Sequence, residues 1–437
     1  SSIRSLSTSE AVIAALMSGG DSRLTIDPRT GANKYLCPPT PVAGQICVAS
    51  CTASPITERG FRRAADVYAN LADGTSPRKL EQCSHGIATR LLAYFGVADR
   101  AEAILCPSGT DALLTAAMLV GMERPDMPMT AILPQATETG TGVPRATTLR
   151  PFDGPTPSDT PLANCLADFI EIPLRTPDGA PRGDDELNAA FTAAAATAPG
   201  RPVIYLTHGT KTGLIAPLQP PAGADVIVDA CQARIEPAMV AAYLGNGWPV
   251  VVTGSKFFGG PAFSGAVLFP TARSADSRSA AERVAAWPSN AGAGNIGMLL
   301  RWIATLDTIE AFAPLASGMP NRLRALAASI EQGLSSIVGV VPIQGLADRR
   351  AGWSGVPTIF TFAVRDPADR QRLLSATELR PIYASLANQG VLLGQPVGLG
   401  RFGGLRIAVG ARDLLPGASI DADFPRLFAA LAQAVQL

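Results

Sequence analysis

Ala224-Asp-Val-Ile-Val-Asp229-Ala-Cys-Gln232 and, after a helical interval, Pro249-Val-Val-Val-Thr253-Gly-Ser-Lys256-Phe-Phe-Gly259-Gly260 carry the pattern that decides the fold. Each contains a short apolar run, Val226 to Val228 and Val250 to Val252, that ends in polar residues. Buried parallel strands read this way, because both of their faces are covered. One run delivers a carboxylate at its end and the other a lysine. Both groups are therefore expected at the carboxyl edge of one sheet, where α/β proteins place their ligands.

Lys256 reads as a Schiff-base lysine. A carbonyl cofactor needs a primary amine that can lose its proton, and burial beside cationic neighbours lowers an amine's pKa. Pyridoxal 5′-phosphate also needs an anion against its ring nitrogen, since the protonated ring is the electron sink. Asp229 is placed to supply it. Gly259 and Gly260 let the chain pass close to such a group without intervening side chains. A blander reading makes Asp229 a helix cap and Lys256 a solvated loop residue. Composition argues against it: the chain has four lysines, Lys34, Lys79, Lys211 and Lys256, and a solvated position here would usually be arginine.

Taken together, Asp229-Ala-Cys-Gln232 and Thr253-Gly-Ser-Lys256 resemble the fold-type I pyridoxal-phosphate enzymes, especially the class V aminotransferase and cysteine desulfurase branch. The resemblance runs from about residue 85 to 410. It implies an α/β fold in three parts: an N-terminal arm over residues 1–60, a cofactor-binding large domain with a mostly parallel sheet over 61–315, and a smaller α/β domain over 316–437. It implies Lys256 and Asp229 as catalytic residues, with Thr253 and Ser255 beside the lysine in the cofactor site. Gln232 is expected to hydrogen-bond the ring hydroxyl.

The wider composition is compatible with a small-molecule enzyme. At 437 residues the chain can build two substantial cores. Its 36 basic and 36 acidic residues cancel, and neither a charge run nor a basic helix suggests nucleic acid or an anionic membrane. No apolar run approaches membrane-spanning length and the polar start lacks a signal-peptide pattern, so a cytoplasmic location is the expectation. Seven cysteines, all within the first 231 residues, read as buried thiols rather than a disulfide framework. Two histidines and no Cys-x-x-Cys pair make a zinc site unlikely to be present.

In chain order, the Pro-, Ser-, Thr- and Gly-rich start holds one short helical candidate, Glu10 to Met17, and the polar cluster Asn33-Lys34-Tyr35. Such arms in the resembling family wrap the active site or the partner; an ordinary surface segment is the alternative. Apolar residues at helical spacing from Phe61 to Phe95 predict two helices before the first strand of the large-domain sheet. Then Glu102-Ala-Ile-Leu-Cys106-Pro-Ser108-Gly109-Thr110-Asp111 reads as a strand, a small-residue turn and a capped helix stopping at Gly121.

Free amides at a helix start carry partial positive charge, so Ser108, Gly109 and Thr110 form a ready seat for a phosphate. Plain N-capping explains the same residues. The resemblance implies the cofactor phosphate there.

Apolar runs at Ala131 to Leu133, Phe169 to Ile172 and Val203 to Leu206 continue the sheet, and the last leads into Thr207-His208-Gly-Thr210-Lys211-Thr-Gly213. The resemblance implies Thr210 near the ring hydroxyl, while His208 reads equally as a strand-end polar residue. One departure stands out. Where the relatives carry a ring-stacking histidine or aromatic residue, this chain reads Gln135-Ala-Thr137-Glu138-Thr139-Gly-Thr141-Gly142.

Two G-x-G-x-x-G matches lack the strand-to-helix setting of a dinucleotide site. Gly398-Leu-Gly400-Arg-Phe-Gly403 opens onto a strand, and Gly292-Ala-Gly294-Asn295-Ile-Gly297 follows none. The second resembles the segment that fold-type I dimers lend to the partner's cofactor phosphate. A homodimer with active sites at its interface and Asn295 near the other subunit's phosphate is the corresponding expectation.

Helices are expected over 298–312, 321–333, 370–387 and 420–435, with strands near 337–341, 358–364, 391–393 and 405–409. Arg406 lies inside the apolar run Leu405 to Val409, and a guanidinium keeps its charge when buried and presents a fork to a carboxylate. The resemblance makes it the anchor of a substrate α-carboxylate, with a structural ion pair as the alternative. Arg401 and Arg234 are weaker candidates.

The function so implied is a pyridoxal-phosphate enzyme on an α-amino acid, an aminotransferase first. A lyase or β/γ-replacement enzyme on a sulfur-bearing or activated amino acid comes next, then a catalytically silent ligand-binding homologue. Cysteine desulfuration is disfavoured because no cysteine follows Cys231. A serine hydrolase lacks its G-x-S-x-G elbow.

Overall fold

A computed structural model of the chain describes residues 8–72, 76–152, 167–273, 278–280, 282, 284, 294–346, 352–418 and 420–436. Among them, the strands in chain order begin with β1 (Ile46–Val48), β2 (Ala101–Cys106), β3 (Met129–Pro134) and β4 (Ala167–Ile172). There follow β5 (Arg201–His208), β6 (Ile215–Ala216), β7 (Asp225–Ala230), β8 (Val250–Thr253) and β9 (Gly265–Pro270). The last four are β10 (Val340–Ile343), β11 (Ile359–Val364), β12 (Val391–Gly398) and β13 (Gly403–Ala408).

The larger sheet has the order β2-β9-β8-β7-β5-β3-β4, with β6 on β5. Its centre, β4-β3-β5-β7-β8, is parallel, whereas β9 runs antiparallel to both β8 and β2. Both faces are covered, which explains the unbroken apolar runs. Ile227 and Val251 point into the core beneath helix Gly109–Glu123, while Val226, Val228, Val250 and Val252 point into the main core on the other side. Each fully buried valine contributes about 1.5–3 kcal/mol. Helix Gly109–Glu123 is buried from Asp111 to Gly121, and it is apolar all round because it lies between sheet and neighbouring elements.

The smaller sheet, β1-β12-β13-β11-β10, gathers the C-terminal strands with one from near the N-terminus. Strand β1 pairs in parallel with β12, Ile46 opposite Val391. The N-terminal segment is also held further upstream. Arg301, fully buried in helix Ile296–Phe312, donates to the carbonyls of Leu16 at 2.6 Å, Ser18 at 2.8 Å and Gly19 at 3.1 Å, and to that of Phe263 at 2.8 Å. Four carbonyl acceptors satisfy most of a guanidinium without any carboxylate.

One helix is shorter than its pattern predicts. The expected span 370–387 is helical only over Arg380–Asn388. Upstream of it, Asp366 accepts from the Ala368 amide at 2.9 Å and Asp369 from the Gln371 amide at 3.1 Å, so local side-chain turns replace helical bonds. Conversely, β12 continues to Gly398, beyond the expected 391–393, because it pairs with β13 through Gly398 opposite Gly403.

Candidate active site

Parallel pairing sets Asp229 opposite Thr207 on one side and Val251 on the other, near the carboxyl ends of β7, β5 and β8. Lys256 follows three residues after β8 ends. Asp229 is 5% exposed and accepts from the Cys231 amide at 3.1 Å, and burial pushes its carboxyl above the usual range. A buried carboxylate without a cation is costly and favours a partner that carries a proton.

The Lys256 ammonium donates to the Thr52 carbonyl. Burial brings its pKa down to about 8, with Arg406 and Arg23 pushing in the same direction against Cys51 and Cys231. A substantial fraction is then the nucleophilic free amine near neutral pH.

Ser108 caps helix Gly109–Glu123, accepting from the Asp111 amide at 3.1 Å and donating to the Asp111 carboxylate at 2.6 Å. The first helical amides have no carbonyl four residues back within the helix and face outward as donors. Arg23, held by Asp21 at 2.5 Å, adds a cation here, donating to the Thr110 hydroxyl at 3.3 Å. Its guanidinium lies 4.1 Å over the Phe152 ring and 5.1 Å over that of Phe263.

Arg406 is 2% exposed. It donates to the Gln395 carbonyl at 2.7 and 3.2 Å, the Lys211 carbonyl at 2.9 Å and the Thr52 hydroxyl at 3.0 Å. All these partners are neutral, so the guanidinium is positioned by the fold while its charge stays available to an anion. Thr52 thereby ties Lys256 and Arg406 together, through its carbonyl and its hydroxyl respectively.

Asp229, Lys256, Arg406 and the Ser108-Gly109-Thr110 turn line one cavity of about 320 Å³, as do Gln232, Thr253 and Ser255. That volume lies within the range of small-molecule sites. The hydroxyls of Thr139 and Thr207, both on the cavity wall, are buried without a hydrogen-bond partner. Orphaned donors of this kind call for a polar ligand. Around the helix start, a Cβ on Gly265 would meet the Ser108 carbonyl at 2.2 Å and one on Gly109 would meet Thr253 at 2.8 Å, so the backbone packs closely there. An amine, a buried acid, an anion seat and unfilled hydroxyls fit pyridoxal 5′-phosphate.

Two expected site residues sit elsewhere. Thr210 does not line the cavity: its hydroxyl accepts from the amides of Thr212 at 3.3 Å and Leu214 at 3.1 Å and closes the turn after β5. Asn295, 3% exposed, caps helix Ile296–Phe312 by accepting from the Met298 amide at 2.9 Å and donates to the Gly19 carbonyl at 2.8 Å. Its amide is used within the subunit, which leaves no free face for a partner's phosphate. The residues 292 and 293 of that glycine motif lie outside the described residues. Gln232 lines the cavity, but its amide donates to the Cys51 carbonyl at 3.0 Å and its oxygen accepts from Arg234 at 2.8 Å. Thr253 donates to the Cys231 carbonyl at 2.6 Å, and Ser255 to Thr253 at 3.5 Å, so both brace the loop carrying Lys256.

Several wall residues carried no clear sequence signal. Arg23 belongs to a three-residue helix, Ser22–Leu24, capped by Asp21. Thr52, Thr139 and Thr207 are ordinary threonines until the fold brings them to the cavity. Tyr35 does lie in the watched cluster, and the Lys256 ammonium is 6.0 Å from its ring centroid. No aromatic side chain comes from the Gln135–Gly142 segment; Glu138, Thr139 and Thr141 contribute to the wall instead. Among the described residues no cluster of His, Cys, Asp and Glu could hold a metal, and no helix is long and apolar enough to cross a membrane.

The architecture is the fold-type I arrangement of the pyridoxal-phosphate transferases, with a large mostly parallel sheet and a smaller C-terminal α/β unit. Solved structures share it at low sequence identity. The cysteine desulfurase CsdA from Escherichia coli superposes with a TM-score of 0.57 at 16% identity, covering 90% of this chain and 95% of the other. The cystine C-S lyase C-DES, solved with its product cysteine persulfide, gives 0.57 at 13% identity, covering 89% and 98%. SPT, solved with a PLP internal aldimine, gives 0.55 at 15% identity, covering 90% and 89%. No family model matches the sequence, and no curated protein does.

Proposed function

We propose that the chain is a pyridoxal-phosphate enzyme acting on an α-amino acid, with transamination as its reaction. The convergence of Lys256, Asp229 and Arg406 on one cavity carries this reading. The cofactor, when bound, supplies an electron sink for negative charge at the substrate α-carbon. Asp229 holds a proton at the ring nitrogen, which its burial and lack of a cationic partner favour. Arg406 takes the substrate carboxylate and so fixes where the α-carbon lies. Lys256, once displaced as the covalent anchor, is the base that moves the α-proton. Its pKa of about 8 suits that task near neutral pH. The buried wall keeps water from competing for the proton.

Transamination asks only for a base that carries a proton between two carbons, and Lys256 is that base. Elimination or replacement would need a leaving group on the substrate as well. The test is a single-turnover spectrum of purified, cofactor-loaded protein mixed with amino acids in the absence of a keto-acid acceptor. Conversion of the cofactor band to the pyridoxamine form with release of a keto acid supports transamination. Return of the original band with another product released makes the enzyme a lyase or replacement enzyme. A homodimer in the cytoplasm completes the proposal, on the strength of the sequence resemblance, and light scattering tests the assembly.

A further inference from the structure

The cavity wall is richer in positive charge than one α-carboxylate and one cofactor phosphate require. Arg23 is matched by Asp21, and the wall's Glu138 is taken by Arg175 at 2.8 Å and by the Thr212 hydroxyl at 2.8 Å. Lys256 is the covalent anchor and Asp229 faces the ring nitrogen. What is left on the wall is Lys34, Lys211, Arg380 and Arg406, none of them in an ion pair among the described residues.

Lys34 and Arg380 are exposed, and water screens them. Lys211 differs. Its ammonium is directed to the carbonyl of Ala136 at 3.1 Å, over the segment that follows β3, and its own carbonyl accepts from Arg406 at 2.9 Å. The turn carrying Lys211 therefore rests on the guanidinium, and two cations are held side by side on one wall. Desolvation brings the Lys211 amine down to about 8, with Arg406 pushing further in the same direction. Each of these is the mark of a cation kept partly dehydrated with one neutral acceptor for its three donors. A ligand anion relieves that arrangement.

We propose that the substrate is an α-amino acid whose side chain bears a second anionic group, with Arg406 taking the α-carboxylate and Lys211 the side-chain anion. This rests on the reading of the site as a pyridoxal-phosphate site. A side-chain carboxylate, phosphate and sulfonate share the required chemistry, and the chain's single ammonium does not demand the bidentate geometry that an arginine would.

The experiment is calorimetric binding to the purified protein, with the cofactor band recorded on the same sample. The ligands are L-aspartate, L-glutamate, O-phospho-L-serine and L-cysteate, against L-asparagine, L-glutamine and L-serine. At least one acidic ligand is expected to bind about tenfold or more tightly than its neutral counterpart. The acidic ligand that leads identifies the anion. In Lys211→Gln the acidic-to-neutral ratio falls toward one, and in Lys211→Arg it is largely restored, which a purely structural lysine would not produce. Equal binding of acidic and neutral ligands overturns the proposal, as does a ratio unchanged in Lys211→Gln. If the acidic preference is present but the cofactor band is absent, the anion site stands and the pyridoxal-phosphate reading falls.

Discussion

Arg23 and Thr110 stand 87 positions apart in the chain, yet the Arg23 guanidinium donates to the Thr110 hydroxyl at 3.3 Å. The N-terminal segment thus delivers a cation to the start of the helix whose amides form the anion seat. Asp21 orients that cation and two aromatic rings flank it.

Removing this cation is expected to weaken phosphate binding while sparing the fold. Arg23→Gln should raise the dissociation constant for pyridoxal 5′-phosphate on the order of tenfold or more, the effect of losing one charge-assisted hydrogen bond. Titration of apo-protein by cofactor absorbance measures it. Unchanged affinity would detach Arg23 from the phosphate.

Lys256→Ala should abolish both the absorbance of the covalently held cofactor and turnover. In the unmodified apo-protein, capture of the aldehyde requires the free amine, so its rate should rise with pH and level off above about 8, the depressed value set first by burial. An amine with the ordinary value near 10.5 would keep accelerating well beyond that. Stopped-flow absorbance across pH 6.5 to about 10 separates the two.

For Asp229→Asn, activity and stability should move apart. An acid whose folded-state pKa lies above its unfolded value, about 3.9, supports the fold below that unfolded value and loses the contribution as pH rises through the folded value. Asp229 is of this kind, raised by burial, so at pH 7 its charge weakens the apo-protein. Asparagine keeps an oxygen for the Cys231 amide and removes the charge. The apo-variant should melt at or above the temperature of the unmodified protein. Its turnover should nevertheless fall by orders of magnitude, since the ring nitrogen loses its anion. Melting curves and kinetics on the same preparation check both halves.

Arg406→Lys is not conservative here. Three guanidinium nitrogens engage Gln395, Lys211 and Thr52, and one ammonium cannot replace that fork. Stranding a buried acceptor costs about 1–3 kcal/mol, so the variant should unfold at a lower temperature. Its KM for the amino acid should rise by more than its kcat falls, because the carboxylate anchor acts mainly in binding. An unchanged KM would return Arg406 to a structural role.

The strands, their order of delivery and the main chemical groups were readable from residues alone. Val226 to Val228 and Val250 to Val252 are locally apolar, and Asp229 and Lys256 follow them directly in the chain, so sheet formation suffices to bring them near one edge. The same holds for Ser108, where the cap and the turn are encoded within four residues. Helix 370–387 was over-read because the aspartates at 366 and 369 offer the backbone local turns that apolar spacing does not register.

The sequence by itself determined which groups the site could use: a lysine and an aspartate at strand ends, a small-residue helix start and an arginine within an apolar strand. Only the tertiary structure decided which side chains face the cavity. Thr210 and Asn295 turn away because nearby amides and a carbonyl claim their polar atoms, whereas Thr207 and Thr139 face inward with their hydroxyls unmatched. Arg23 and Thr52 enter the site, and Lys211 comes to lie on Arg406, through contacts between segments far apart in the chain. Periodicity records whether a position is buried. The direction of a loop side chain is set by the hydrogen-bond partners that folding brings within reach, and those are not written in its neighbours.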